Sequence, residues 1–361
     1  MPIVWKDNRI NMKSENFPYH EMLTLQNFTV FSEQTLEFVP GLNVLVGENG
    51  TGKTHILKAL YAWQMARHLA DPGKDAKYER VFAETYGVTT VGEIQRSRAR
   101  IATVSGRFGS NDWSVGFQQS VASDNDVRPQ PSRPVFIPAI EMMAHARNMN
   151  GIMRDYADFD RTCFDFLTLV TAQPNWNESN SLAPDADFAE VNSLKKIVPG
   201  EVEWDESEQR FYLNDYARRL PFSLVAEGYR KVSSLHRLIQ LQWLTPGSVL
   251  FWDEPEVNLN PKWMDEVVEV LIGLTQRGVQ VFLATHSYVI LKEIDLVLRS
   301  RRLQTGDTAE ARFFGLKKER GVSKAVWSKD FASLEPNPIL DQYDMMLEKD
   351  LRLRDKEIAR K

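Results

Sequence analysis

Leu42-Asn43-Val44-Leu45-Val46-Gly47-Glu48-Asn49-Gly50-Thr51-Gly52-Lys53-Thr54 reads as an apolar strand running into a glycine loop of the form G-x-x-x-x-G-K-[ST]. A helical pattern follows, with Ile56, Leu60 and Trp63 on one face. The spacing has a chemical reason. Glycines let a backbone wrap closely around a phosphate and tolerate φ > 0. The loop amides and the free N–H groups of a helix N-terminus point at the anion. Lys53 brings a point charge to the β- and γ-phosphates of a nucleotide, and Thr54 a hydroxyl to Mg2+. The strand before and the helix after are the context that this motif requires.

Working outward, residues 248–254 form a buried apolar strand that ends in Asp253 and Glu254. Such a strand is expected beside the phosphate-loop strand. Asp253 would then bind the metal, usually through water, and Glu254 would orient the attacking water and accept its proton. Pro255-Glu256-Val257-Asn258-Leu259-Asn260 follows, and Pro261 opens a helix with Asn260 as its N-cap. That helix buries Met264, Val267, Val268 and Leu271 and ends at Arg277-Gly278. Residues 279–284 make another buried strand, whose end carries Thr285-His286-Ser287. His286 is placed there to sense a γ-phosphate. The other histidines, His20, His55, His68, His145 and His236, show no metal-ligand spacing.

The bulk composition bounds the rest. With 361 residues, 43% hydrophobic and 26% charged, the chain has the make-up of one large globular domain or two. A net charge of −5 argues against a polycation that coats nucleic acid. The single cysteine, Cys163, excludes an internal disulfide and a cysteine zinc cage. Met1 to Asn11 lacks an apolar signal core, and the apolar runs are strand-length, too short for a bilayer. The expectation is a soluble, cytoplasmic protein.

Residues 22–38 suggest two short strands, with Leu23, Leu25 and Phe28 in the first and Leu36 and Phe38 in the second. Residues 65–199 do not read as part of a parallel sheet. Within them, 100–108 and 113–117 form a hairpin around Gly109-Ser110-Asn111-Asp112. Residues 121–134 are a polar surface loop, 135–138 a strand, 140–171 a helical lid rich in Met and aromatics that packs on itself, and 175–187 a polar break. Residues 202–204 and 210–213 suggest a second hairpin. Residues 220–228 lead into a helix with Val232, Leu235 and Ile239 inward. Arg218-Arg219, residues 299–302 and Lys317-Lys318 are basic clusters that read as solvated faces.

The order of Gly47 to Thr54, Ala226-Glu227-Gly228 opening a helix, Asp253-Glu254-Pro255-Glu256 and Ala284-Thr285-His286-Ser287 resembles the ABC-type ATPase heads of the SMC, RecF and OLD group. Within that group it is similar to the small stand-alone AAA-type ATPases of bacteria. The resemblance implies an α/β fold, a P-loop NTPase of the ABC head type with an antiparallel β subdomain and a helical lid insertion. Residues 19–66 and 200–361 would be the nucleotide-binding core, and 67–199 the insertion. It implies ATP and Mg2+ as cofactors and ATP hydrolysis with Lys53, Glu254 and His286 as catalytic residues. It also implies a head-to-tail homodimer with two ATP molecules between the chains. Ala226, Glu227 and Gly228 would be the signature that completes the partner's site, and Asn258 and Asn260 the D-loop. Glu141 stands in for the Q-loop glutamine. The ABC signature has a serine where Ala226 stands, so slow hydrolysis is expected. The long coiled coil and the Cys-x-x-Cys hook of SMC-like repair proteins are missing. The function implied is an ATP-gated switch for a separate effector protein or a nucleic acid, with anti-phage defence as its setting and no membrane partner. A RecF-like repair ATPase on duplex DNA and a scaffold that holds ATP without turnover are the alternatives.

Overall fold

The computed structural model describes residues 17–70, 77–97, 100–118, 121–124, 132–147, 159–173, 189–215, 218–306 and 309–358. The first elements are β1 (His20–Phe28), β2 (Phe31–Glu37), β3 (Leu42–Gly47), α1 (Lys53–Leu69) and α2 (Tyr78–Tyr86). β4 (Ala102–Phe108), β5 (Asn111–Gln118), β6 (Val121–Asp124), β7 (Val135–Ile137), α3 (Arg161–Val170) and α4 (Ala189–Ile197) follow. Next come β8 (Glu201–Asp205), β9 (Arg210–Asp215), β10 (Arg218–Pro221), α5 (Glu227–Gln240), β11 (Val249–Asp253) and α6 (Met264–Gln276). The described chain closes with β12 (Gln280–Thr285), α7 (Tyr288–Thr305), β13 (Ala311–Glu319), β14 (Val322–Ser328) and α8 (Pro338–Ile358).

The long apolar runs make a six-stranded sheet in the order β14-β13-β3-β12-β11-β7, parallel except for edge strand β14. Side chains alternate between its faces. Val44, Val46, Leu250, Trp252, Val281 and Leu283 join one buried cluster, while Leu45, Phe251, Phe282 and Ala284 join the other. Burial on both faces is why these strands read as continuous rather than alternating hydrophobic runs.

Helix α1 lies between that sheet and a five-stranded antiparallel sheet in the order β2-β1-β4-β5-β6. Tyr61 packs edge-on against Phe136 of β7 and Phe251 of β11. Trp63 stacks on Trp113 of β5 with ring centroids 4.5 Å apart. A helix held on two sides is buried almost all round, which explains why its polar face is so short. Each fully buried aromatic stabilises this layer by roughly 1.5–3 kcal/mol. Helices α3, α4, α5, α6 and α7 pack on the other face.

Several expectations change. β11 does not lie beside β3, because β12 is inserted between them. The segment 65–199 does supply a strand to the parallel sheet: three-residue β7 pairs with β11. β4 likewise pairs with β1, so two strand pairings cut across the division at 67 and 199. The first hairpin turns more tightly than expected, since β5 begins at Asn111 and Gly109 takes a positive φ of 56°. Residues 121–124 form β6 rather than loop, and β10 adds a third strand to β8 and β9. Of the proposed lid, Met142, Met143 and Phe166 sink into the main core with Leu235 instead of packing on one another alone. Residues 148–158 of the expected lid and the break at 175–187 lie outside the described residues. The basic clusters are mostly solvent-exposed, as expected, and each contributes an ion pair: Arg219 with Glu203 and Asp205, Arg301 with Glu269, Lys317 with Glu319. Among the described residues no helix is long and apolar enough to cross a membrane.

Candidate functional site

The carboxyl ends of β3, β12 and β11 lie side by side, with Thr285 in register with Val46 and Asp253 with Ala284. Ligands of open α/β sheets bind at this end. β3 ends at Gly47, and α1 starts at Lys53 with Gly52 as its N-cap at φ 97°. Gly52 also has no room for a side chain, since a Cβ there would stand 2.6 Å from Val30 Cγ2. Thr51 Oγ1 donates to the Glu48 carbonyl at 2.8 Å and closes the loop. Lys53 is buried, and its Nζ donates to the carbonyls of Gly47 (2.7 Å) and Glu48 (3.0 Å). Burial lowers the Lys53 pKa, while the carboxylates of Glu254, Asp253, Glu256 and Glu48 hold it up. The ammonium therefore joins the positive end of the α1 dipole at one loop.

Thr54 Oγ1 donates to Asp253 Oδ2 at 2.8 Å, which joins the loop to the end of β11. Burial pushes the Asp253 carboxyl up to about 6, and Thr54 opposes that shift. Asp253 Oδ1 is buried with no hydrogen-bond partner. A hydroxyl and a carboxylate with one orphaned oxygen fit Mg2+, a hard ion held by one or two carboxylates plus substrate phosphates. Among the described residues no group of three or more His, Cys, Asp or Glu could hold a metal ion. The chain thus offers part of a coordination shell that phosphate oxygens would complete.

Glu254 takes φ 48°, the left-handed region. Its N–H donates to the Ala284 carbonyl at 2.8 Å, one step past the end of β11. Its Oε1 is 3.1 Å from His286 Nδ1. His286 is 41% exposed and Glu254 27%, so the pair is open to solvent. Glu256, which has no assigned role in the sequence, proves to anchor this corner. Its Oε1 accepts from Thr285 Oγ1 at 2.6 Å and from the His286 N–H at 3.2 Å. Its position two residues beyond Glu254 is a weak sequence signal, because only the neighbouring strand end explains it.

The candidate signature opens α5, with Ala226 at the N-cap and no side-chain cap. Gly228 is required within its own chain: a Cβ there would stand 2.6 Å from the Asn258 carbonyl oxygen. Asn258 has φ 61°, and Asn260 Oδ1 caps the Lys262 N–H at 3.1 Å. Glu141 is buried against α5. Its carboxylate takes Arg230 at 3.0 Å and the N–H of Met143 at 2.6 Å, so it caps a short turn and pairs with α5. Lys53, Thr54, Asp253, Glu254 and His286 are brought together; Ala226-Glu227-Gly228 joins them only through the turn at Asn258.

A family model described as "AAA domain, putative AbiEii toxin, Type IV TA system" matches residues 95–292, and one described as "AAA domain" matches residues 22–101. The DNA replication and repair protein RecF of Geobacillus thermodenitrificans is 41% identical over 54 residues, 15% of this chain and 14% of RecF. The chromosome partition protein Smc of Mycobacterium leprae is 39% identical over 79 residues, 21% of this chain and 6% of Smc. The match thus spans a small part of either relative's length. The structure of an Smc head bound to the C-winged helix domain of ScpA aligns with TM-score 0.56 at 13% identity, covering 86% of this chain and 98% of that one. An Smc head with an extended coiled coil, bound to the C-terminal domain of ScpA derived from Pyrococcus furiosus, aligns with TM-score 0.53 at 12% identity, covering 92% and 99%. At such identity the likeness establishes the fold alone: an α/β fold like that of the SMC head, with antiparallel and mixed sheets.

Proposed function

This chain belongs to the AAA-domain family described with the AbiEii toxin, and we propose that it is an ATP-driven switch that hydrolyses ATP, dimerises head to tail on binding it, and gates a partner effector. The observation that carries the reading is the convergence of Lys53, the Thr54–Asp253 pair and the Glu254–His286 pair at three adjacent strand ends. Lys53 would move from the loop carbonyls to the phosphates. Thr54 and Asp253 would hold Mg2+, whose charge would offset the charge that develops on the phosphates. Glu254 would orient the attacking water and accept its proton. His286, with Nδ1 engaged by Glu254, would present Nε2 to the γ-phosphate. Support for the dimer comes from the N-terminus of α5, where Leu224 is 72% exposed beside Ala226. Helix-opening amides there suit a partner's γ-phosphate. The family's description names a toxin of a toxin–antitoxin system, which supports a defence setting. The short likeness to RecF supports a second reading, an ATPase on duplex DNA, which DNA stimulation that fades steeply with salt would favour.

Glu254→Gln tests the proposal. It should bind ATP like the wild type, turn over at least about a hundred-fold more slowly, and accumulate as an ATP-bound dimer in light scattering. Turnover near that of the wild type would mean that another group orients the water.

A further inference from the structure

Lys231 stands one turn into α5 and is 2% exposed. Its neighbours Val232 and Leu235 belong to the apolar core, so an ammonium here needs a reason. Nζ donates to the Glu254 carbonyl at 2.5 Å and to the Ala139 carbonyl at 3.2 Å. Burial lowers the Lys231 pKa, and the carboxylates of Glu256, Glu254 and Asp253 oppose that. Its partner Glu254 is in the left-handed region, which costs a non-glycine residue about 1–2 kcal/mol. That conformation is held at both ends: the N–H by the Ala284 carbonyl at 2.8 Å, and the C=O by Lys231 at 2.5 Å and more loosely by the Val257 N–H at 3.3 Å. Gly228 lies three residues before Lys231, on the same face of α5, and touches the Asn258 carbonyl. One turn of α5 therefore grips both ends of the turn from Glu254 to Asn258.

We infer that Lys231 is a positioning residue that holds the backbone of Glu254 so that its carboxylate faces the attacking water, and that it couples the N-terminus of α5 to that carboxylate. The inference rests on Glu254 being the general base. Without Lys231 the Glu254 carbonyl keeps only the longer bond from the Val257 N–H, the strained turn loosens, and the carboxylate shifts from its place beside His286. A shift in α5 when a partner engages Ala226 to Gly228 reaches Glu254 through the same contact. Nucleotide binding is untouched, because Lys231 hydrogen-bonds to the turn after β11 and to Ala139 rather than to the phosphate loop.

The test is a double-mutant cycle of Lys231→Met and Glu254→Gln in the full chain, read by calorimetry with Mg-ATP and by single-turnover hydrolysis. Lys231→Met should leave ATP affinity within about three-fold and slow the chemical step on the order of a hundred-fold, the scale of a 1 Å misplacement. In the Glu254→Gln background it should add almost nothing, because both act through one carboxylate. Lys231→Gln keeps an N–H donor and should retain at least ten-fold more turnover than Lys231→Met. If Lys231→Met fails to fold, Lys231→Gln carries the same cycle. Full loss in both backgrounds, or turnover near wild type in Lys231→Met, overturns the inference. If Glu254→Gln itself turns over normally, the reading of Glu254 fails first, and the cycle distinguishes the two failures.

Discussion

Lys53→Ala removes the only cationic side chain of the loop at residues 47–54. In the structure Lys53 Nζ lies 2.7 Å and 3.0 Å from two loop carbonyls. A phosphate oxygen about 4 Å away, at an effective dielectric of about 20, would attract it by about 4 kcal/mol. Releasing the two carbonyls costs about 1 kcal/mol in all when water is displaced in turn. The net loss is about 3 kcal/mol, or roughly a hundred-fold in ATP affinity. Calorimetry with Mg-ATP measures it. Melting of the unliganded protein is the control, and its sign is opposite. Burial holds the Lys53 pKa below its ordinary value, so the charge costs the empty fold. Lys53→Met, which keeps the stem, should therefore melt no lower than the wild type while binding ATP as poorly as Lys53→Ala. Affinity within three-fold of wild type in both variants would refute the phosphate-loop reasoning.

His286→Ala should slow hydrolysis while leaving ADP affinity intact, because Nδ1 touches only carboxylates of its own chain; a collapse of both ADP and ATP affinity would make His286 a structural residue. Acidification should destabilise the fold. Burial pushes His20, His55 and His236 down from 6.5 to about 4. The unfolded chain takes up these protons near 6.5 and the folded one only near 4, so stability falls from about pH 6.5 towards pH 4. At pH 5 each histidine contributes a loss of roughly 1–2 kcal/mol. Asp253 acts the other way: its folded value of about 6 lies above the ordinary one, and it gives back about 1 kcal/mol at pH 5. A melting temperature that stays flat between pH 7 and pH 5 would show that these rings are solvated.

The local signals were legible. The glycine spacing of residues 47–54 and the buried runs of β3, β11 and β12 announce themselves because their causes, positive φ and two-sided burial, act on neighbouring residues. Strand order is a different kind of fact. Nothing in 249–253 says that β12 stands between it and β3, and three-residue β7 becomes a strand only through its pairing with β11. Gly228 carries a second constraint of the same kind: a Cβ there would stand 2.6 Å from the Asn258 carbonyl oxygen, a packing reason that the sequence does not show.

The acidic run Asp253-Glu254-Pro255-Glu256 shows why Lys231 escaped the sequence. Carboxylates crowded at the end of a buried strand repel one another, so the sequence breaks a local rule there. The structure answers with two buried ammonium groups from two different helices. Lys53 arrives from α1 on one face of the parallel sheet and Lys231 from α5 on the other. Thr54 and Asp253, 199 residues apart in sequence, close the corner with a hydrogen bond of 2.8 Å. Each cation is held below its ordinary pKa by burial and kept up by the same carboxylates. Such a balance is poorly suited to a structural core, where apolar groups of similar volume serve as well or better. It suits a site that must admit further negative charge and let one cation leave its carbonyl partners to meet it. On the proposed function the two lysines would divide the work: Lys53 would exchange loop carbonyls for phosphate, and Lys231 would stay on Glu254.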